Sequence, residues 1–383
     1  MNPSLLWLAA ALFTWGIGEG MFFYFQPIYL AQLGANPLQI GAILGGAGFV
    51  TMLAHIPAGA LTDRIGARPL LRAAWLTGVA AAWLMAAARQ LPLFVLGLLL
   101  YGFTAFVAAP LNAYVTTARG NWTVGRALTL ISATFNLGIF VGPLLGGFLG
   151  DHFGLPSVYL TAACIFVFST LLIFLISAQP VQRRDPAAPP VSLRSNLRYL
   201  QFLGFGFFIL LALYLPQPFS SKFLQEVRGL SLAQIGLLGS VGGLGNTALN
   251  WLLGRIKNIR LGFVLGQATV GLFAFILWQF SALPMLALAY FLFGGSRAAR
   301  TLYMAQIRPL VHPAQLGLAY GIAETVGSLV VAIGPLLAGV LYEWQPASIY
   351  PLAIAAVVAG IALTQVFSPA PLTPQAEQTE FSG

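Results

Sequence analysis

The chain has 383 residues, 58% of them apolar and 7% charged, and its mean hydropathy is +0.86. A soluble chain carries about 25% charged residues, so there are too few charges here to face water over a whole surface, and lipid must be the solvent for most of it. The net charge of +9 is spread without the dense Lys/Arg clustering of a nucleic-acid footprint, which excludes nucleic acid as a partner.

A bilayer crossing needs about twenty apolar residues. On that ruler the chain divides into twelve spans: 5–32, 38–61, 70–89, 92–116, 127–149, 156–178, 199–222, 232–254, 261–281, 284–307, 315–341 and 347–367. The opening MNPSLLWLAA lacks a positively charged start and a small-residue cleavage site, so it reads as the first span rather than a removed signal peptide. Cys164, the single cysteine, lies in an apolar run, which rules out an internal disulfide or a thiolate metal cluster.

The polar, proline-containing stretch 179–198 separates six spans from six and reads as a cytoplasmic linker between an N-terminal bundle, 1–178, and a C-terminal bundle, 199–367. Residues 368–383 are polar and read as a disordered cytoplasmic tail. With the N-terminus inside, thirteen basic residues fall on the cytoplasmic side: Arg64, Arg68, Arg72, Arg119, Arg126, Arg183, Arg184, Arg194, Arg198, Arg255, Lys257, Arg260 and Arg308. Only Arg89, Lys222 and Arg228 fall outside, and Arg297 and Arg300 lie within a span. Positive charge collects on the cytoplasmic face of membrane proteins, so both termini are expected in the cytoplasm and the protein in the plasma (inner) membrane.

The two halves repeat. GPLLGGFLGD at 142–151 matches GPLLAGVLYE at 334–343, and GANPLQIG at 34–41 matches GLSLAQIG at 229–236. LLLYGF at 98–103 matches YFLFGG at 290–295 more loosely. Two matched bundles facing one another create a central path suited to alternating access.

Between the second and third spans stands GALTDRIGARPLLR. Through Gly59, Leu61, Asp63, Arg64, Gly66 and Arg68 this stretch resembles the cytoplasmic loop signature G-x-L-a-D-r-x-G-r-k of the major facilitator superfamily, departing at Ala67, where a basic residue is commoner. The pseudo-equivalent loop keeps Gly254, Arg255 and Lys257 but has no aspartate. A second resemblance lies in the fifth span, where Gly138, Gly142, Pro143, Gly146 and Gly147 match a motif of the antiporter branches. There Thr129 stands where a further glycine is usual. Glycines on one helix face let another helix approach closely, and Pro143 removes a backbone bond. Proton-driven drug exporters also commonly carry an arginine where Leu98 stands. The resemblance implies an all-α membrane protein of twelve helices in two pseudo-symmetric six-helix bundles around a central cavity. It further implies that the first loop, with Gly59, Asp63, Arg64, Gly66 and Arg68, re-forms at each conformational switch.

Charges at bilayer depth cost about 2.5–3.5 kcal/mol each on insertion scales unless paired or wet, so they mark function. Glu19 lies mid-way along the first span, Arg297 and Arg300 share a face of the tenth, and Glu324 lies in the eleventh. Family resemblance places the first, fourth, seventh and tenth spans along the central path. On that footing Glu19 is a candidate proton-coupling site, and the arginines are candidate contacts for an anionic substrate group or for Glu19 and Glu324. A purely structural set of ion pairs is the competing account. Asn112, Asn136 and Asn246 are candidate lining residues.

The chain carries no nucleotide-binding loop, no HExxH pair and no G-x-S-x-G elbow, and neither cofactor nor metal is called for. The expected function is therefore secondary active transport rather than enzymatic catalysis, with a small-molecule substrate, a proton or other coupling ion, a lipid bilayer around a monomer, and export of a lipophilic or amphiphilic compound. Uptake of an organic anion is the alternative, with a membrane enzyme or a transport-dead receptor behind it.

Overall fold

A computed structural model describes residues 3–179, 193, 196–311 and 316–367. Most of the expected linker, including Arg183, Arg184 and Arg194, and the whole tail 368–383 lie outside the described residues. Sixteen α-helices and no strand occur among the described residues. They are α1 (Pro3–Phe23), α2 (Gln26–Gln32), α3 (Pro37–Ile65), α4 (Ala67–Ala87), α5 (Leu91–Phe103), α6 (Ala108–Ala118), α7 (Val124–Phe153) and α8 (Leu155–Phe174). The second half supplies α9 (Leu197–Tyr214), α10 (Ser220–Glu226), α11 (Leu232–Gly254), α12 (Ile259–Gln279), α13 (Leu283–Phe293), α14 (Gly295–Ala305), α15 (Leu316–Trp344) and α16 (Ile349–Phe367).

Ten stretches among the described residues are long and apolar enough to cross a bilayer. Adding α11 and the α13–α14 pair brings the crossings to the expected twelve. Eight are single helices, and four are broken: the first between α1 and α2, the fourth by a 3₁₀ turn over Thr104–Val107, the seventh between α9 and α10, and the tenth at Gly294. These are the spans that the family resemblance assigns to the path. Proline accounts for much of the breakage, since it removes an amide donor and crowds the carbonyl four residues back. Pro27 sits in the first turn of α2, Pro110 follows the 3₁₀ turn, and Pro216 and Pro218 lie in the α9–α10 break.

By proximity the described residues fall into two units, one drawn from 3–179, 217–243 and 331–346 and the other from 193, 196–216, 244–311, 316–330 and 347–367. The division cuts through α11 and α15, so their first and last portions respectively group with the N-terminal half. Glycine is the reason. In the first unit, the backbones of α1 and α7 run against each other: a Cβ on Gly142 would lie 2.5 Å from the Ile17 carbonyl oxygen, and side chains on Gly16, Gly138 or Gly146 would collide with facing backbone. The other side of α7 meets α11, where a Cβ on Gly147 would lie 2.5 Å from the Leu232 carbonyl oxygen and one on Gly236 would strike that of Pro143. The pseudo-equivalent crossing joins α15 to α3, with Gly41 against the Pro335 carbonyl and Gly339 against that of Pro37. Sequence matches thus become spatial matches, because Gly41 and Gly236 correspond, as do Pro335 and Pro143. Gly34 and Gly229, also corresponding, both turn the chain at positive φ, 92° and 69°.

Aromatic packing fills the rest of the first unit. Trp15 stacks on Phe166 at 4.1 Å, occupies the space that a side chain on Gly78 would need, and lies beside Trp75. The Trp75 indole N–H donates to Ser169 Oγ at 2.8 Å, and that hydroxyl donates on to the Ala11 carbonyl. The second unit centres on Phe202 stacked on Tyr303 at 4.8 Å, over Gly206. Two of its buried polar side chains are tied across helices: Gln267 donates to Thr364, and the Tyr199 hydroxyl donates to the Ala319 carbonyl at 2.7 Å.

A large side chain at Gly142 should be incompatible with the α1–α7 crossing, since overpacking costs about 1–3 kcal/mol or more. We expect Gly142→Leu to lower the unfolding temperature in detergent markedly, while Leu144→Ala, on an exposed part of the same turn, changes it little. Equal melting of wild type and Gly142→Leu would contradict the crossing.

Candidate functional site

Glu19 stands on α1 between Gly18 and Gly20. A side chain on Gly18 would meet the Phe166 ring at 2.5 Å, and Gly20 abuts Gly142. The glycines thus seal the helix on both sides of the carboxylate. Tyr101, on α5, reaches across and donates its hydroxyl to Glu19 Oε2 at 2.7 Å. The Tyr101 ring is held in turn by Trp15 and Phe166, stacked at 6.3 and 6.0 Å, and by the edge of Phe22 at 5.3 Å. A half-buried carboxylate with a fixed phenolic donor is a group that can bind and release a proton without rearranging its frame. Among the run of four aromatics after Met21, Phe22 and Phe25 are fully buried while Phe23 is exposed.

The second unit presents a polar stripe on helices otherwise apolar. On α14, Arg297, Arg300 and Thr301 are exposed, and on α15 Gly321, Glu324 and Thr325. Residues three and four apart share a helix face, so each set forms one stripe. Arg300 Nη2 pairs with Glu324 Oε2. Their side chains keep 44% and 57% of their exposure, so the pair is open on this unit rather than buried in its core. Arg297 accepts from the Thr301 hydroxyl through its carbonyl.

The three asparagines differ. Asn112 on α6 is exposed, and its carbonyl accepts from Thr116. Asn136 donates back to Ser132 on its own helix, at 2.8 Å to the carbonyl. Asn246 is half-buried where α11 comes so close to Gly294 that a side chain there would strike the Asn246 amide. In the first loop, Gly59 and Asp63 lie on the final turns of α3, Arg64 is exposed, and Gly66 ends the helix at φ 84° with its amide bonded to the Thr62 carbonyl. Arg68 follows on α4, half-buried. Leu98, where exporters commonly have arginine, is 3% exposed and packs as core.

Three residues were not assigned from sequence. Tyr101 gave no signal, because its partner lies 82 positions away. Lys222, read as an outer-loop charge, is instead 5% exposed on α10. It pairs there with Glu226, which also accepts from the Tyr342 hydroxyl at 2.8 Å; Phe219 stacks on the same tyrosine at 4.9 Å. Asp151, known only as part of a repeat, accepts two amides of α11.

The sequence profile of the Major Facilitator Superfamily matches residues 6–294 and 207–383, which together take in nearly the whole chain. The chain belongs to that family. It is 28% identical over 314 residues to the class B tetracycline resistance protein of Escherichia coli, covering 74% of each chain. To the multidrug resistance protein MdtG of Salmonella arizonae it is 27% identical over 320 residues, covering 78% of each. Other matched relatives are spanned for only about half of their length. The solved structure of the nucleoside transporter NupG (D323A mutant) superposes with a TM-score of 0.84 over 96% of this chain and 100% of that one, at 14% identity, a likeness of fold. As a superfamily member the chain is a multi-pass membrane transporter of a small molecule, not an enzyme.

On a water-filled path, the exposed Arg300–Glu324 pair would add little to structural stability. Exposed pairs contribute about 1 kcal/mol or less, so a double-mutant cycle with Arg300→Gln and Glu324→Gln should give a coupling of that size in the unfolding free energy in detergent. Losses of about 3–5 kcal/mol for each single variant, the signature of a broken buried pair, would contradict the placement.

Proposed function

We propose that this transporter is a proton-coupled exporter of lipophilic or amphiphilic small molecules, working by alternating access between two six-helix bundles joined by the 179–198 linker. The observation that carries the reading is the Glu19–Tyr101 contact: an ionisable carboxyl mid-way along a membrane span, half-buried, with a fixed hydrogen-bond donor. A carboxyl in such surroundings is costly for structure alone and suited to proton exchange. Resistance relatives matched over three quarters of the chain support export of amphiphilic compounds. Arg297, Arg300 and Glu324 on the exposed stripe of α14 and α15, with Asn112, Asn136 and Asn246, are the proposed path-lining groups. The loop of Gly59, Asp63, Arg64, Gly66 and Arg68 is the proposed switch element. The protein works as a monomer in the inner membrane with both termini cytoplasmic.

Uptake of an organic anion remains a second reading, favoured by two guanidinium groups on one open stripe and by Leu98 at the exporter arginine position. Direction of flux separates the two.

Glu19→Gln mimics the protonated acid and should abolish uphill ethidium export driven by a proton gradient in proteoliposomes, while energy-independent exchange of ethidium persists. Uphill export by Glu19→Gln at the wild-type rate and with wild-type pH dependence would remove Glu19 from the coupling role.

A further inference from the structure

The two pseudo-equivalent helix crossings described above are built alike, but one carries an extra contact. Asp151, near the end of α7, accepts from the Leu232 amide through Oδ1 at 2.7 Å and from the Ala233 amide through Oδ2 at 2.9 Å. These are the first two amides of α11, which no intrahelical carbonyl can reach. The third, on Gln234, is met by Ser231 Oγ, and the Ser231 amide in turn by Gln234 Oε1. All four free amides at this helix end are therefore satisfied, two of them by a carboxylate from another helix.

At the pseudo-equivalent place the carboxylate is Glu343 and the helix end is that of α3. Its first residue, Pro37, has no amide hydrogen, and Asn36 with Gln39 already forms a complete capping box. The glycine and proline contacts of the α15–α3 crossing form nonetheless. Packing of this kind thus does not require a carboxylate on the facing helix end, and the Asp151 contact is an addition to it.

We infer that Asp151 is the positioning residue of the transport cycle: its carboxylate latches the end of α7 to the start of α11 and holds the chain in the state closed at that end. The inference rests on the alternating-access reading, in which this crossing must part once per cycle. A charge at a helix N-terminus gains from the peptide dipoles and from charge-assisted hydrogen bonds. Because Asp151 is exposed, water can take over both the carboxylate and the amides when the helices separate. Such a contact biases an equilibrium and still lets go. The 143–151 and 232–239 contacts around it, glycine against backbone, offer close fit but no charge to hold them.

The test is a distance measurement by pulsed electron paramagnetic resonance on the full chain in lipid nanodiscs. Cys164 is replaced by serine and spin labels are placed at Phe153 and Val227, both exposed; a control pair at Phe153 and Leu38 reports motion within the first half. Wild type should be mostly short across the latch pair and widen when ethidium or a change of pH is applied. Asp151→Ala should raise the ratio of long to short separations about tenfold or more, leave the control pair unchanged, and slow export turnover with little change in KM. Asp151→Glu, which can still reach the amides, should restore the wild-type ratio. An Asp151→Ala distribution identical to a wild type that does widen overturns the latch alone. A wild-type pair fixed at one separation while ethidium is exported overturns alternating access and the latch with it. Should Asp151→Ala prove aggregated, Asp151→Asn, uncharged but near-isosteric, is read by the same criteria.

Discussion

Close approach of backbones at glycine is the constraint on which this architecture depends. Apolar burial gives helices in lipid no net reason to associate, because the lipid chains are as apolar as leucine, so van der Waals fit and interhelical hydrogen bonds must hold the bundle. Gly16, Gly20, Gly138, Gly142 and Gly146 bring α1 and α7 into backbone contact. That contact fixes the rotation of α1, and the rotation of α1 decides where Glu19 stands. The same device, used twice at the α7–α11 and α15–α3 crossings, joins portions of the second half to the first.

A second constraint follows from the broken spans. Interruptions in a membrane helix leave backbone groups that protein or water must satisfy, so breaks are tolerated where helices are enclosed or line a wet path. Breaks at Tyr24–Phe25, Thr104–Val107, Leu215–Phe219 and Gly294 fall in the first, fourth, seventh and tenth spans and in no other described span. Two of these spans also carry the intramembrane charges Glu19, Arg297 and Arg300. Irregular backbone and ionisable groups thus coincide, as they do where transporters bind their cargo.

Much of this was legible in the sequence because glycine and proline act through the backbone. The crossings could be anticipated from GPLLGG and GPLLAG, since a missing side chain is a direct geometric statement, and the spans from hydropathy. What stayed hidden depends on partners distant in sequence. Nothing in LLLYGF marks Tyr101 as the donor to Glu19, and nothing near Asp151 marks the α11 amides 81 positions on. Lys222 was misread for the same reason: a charge beside prolines looks like a loop until Glu226 and Tyr342 are seen to enclose it. Arg300 and Glu324 were both picked out by depth, but only the folded helices pair them.

Glu19 joins these strands, since its setting comes from glycine packing, its donor from a broken span, and its cost from the bilayer. The account holds that a proton crosses the membrane for substrate carried the other way. Substrate-driven proton movement tests this most directly, recorded with a pH-sensitive dye trapped in proteoliposomes under an ethidium gradient and no imposed proton gradient. The account predicts that the vesicle interior acidifies as ethidium flows out and alkalinises as ethidium flows in, in proportion to the gradient and not in protein-free vesicles. Ethidium flow through the protein at full rate with no change of internal pH would contradict it.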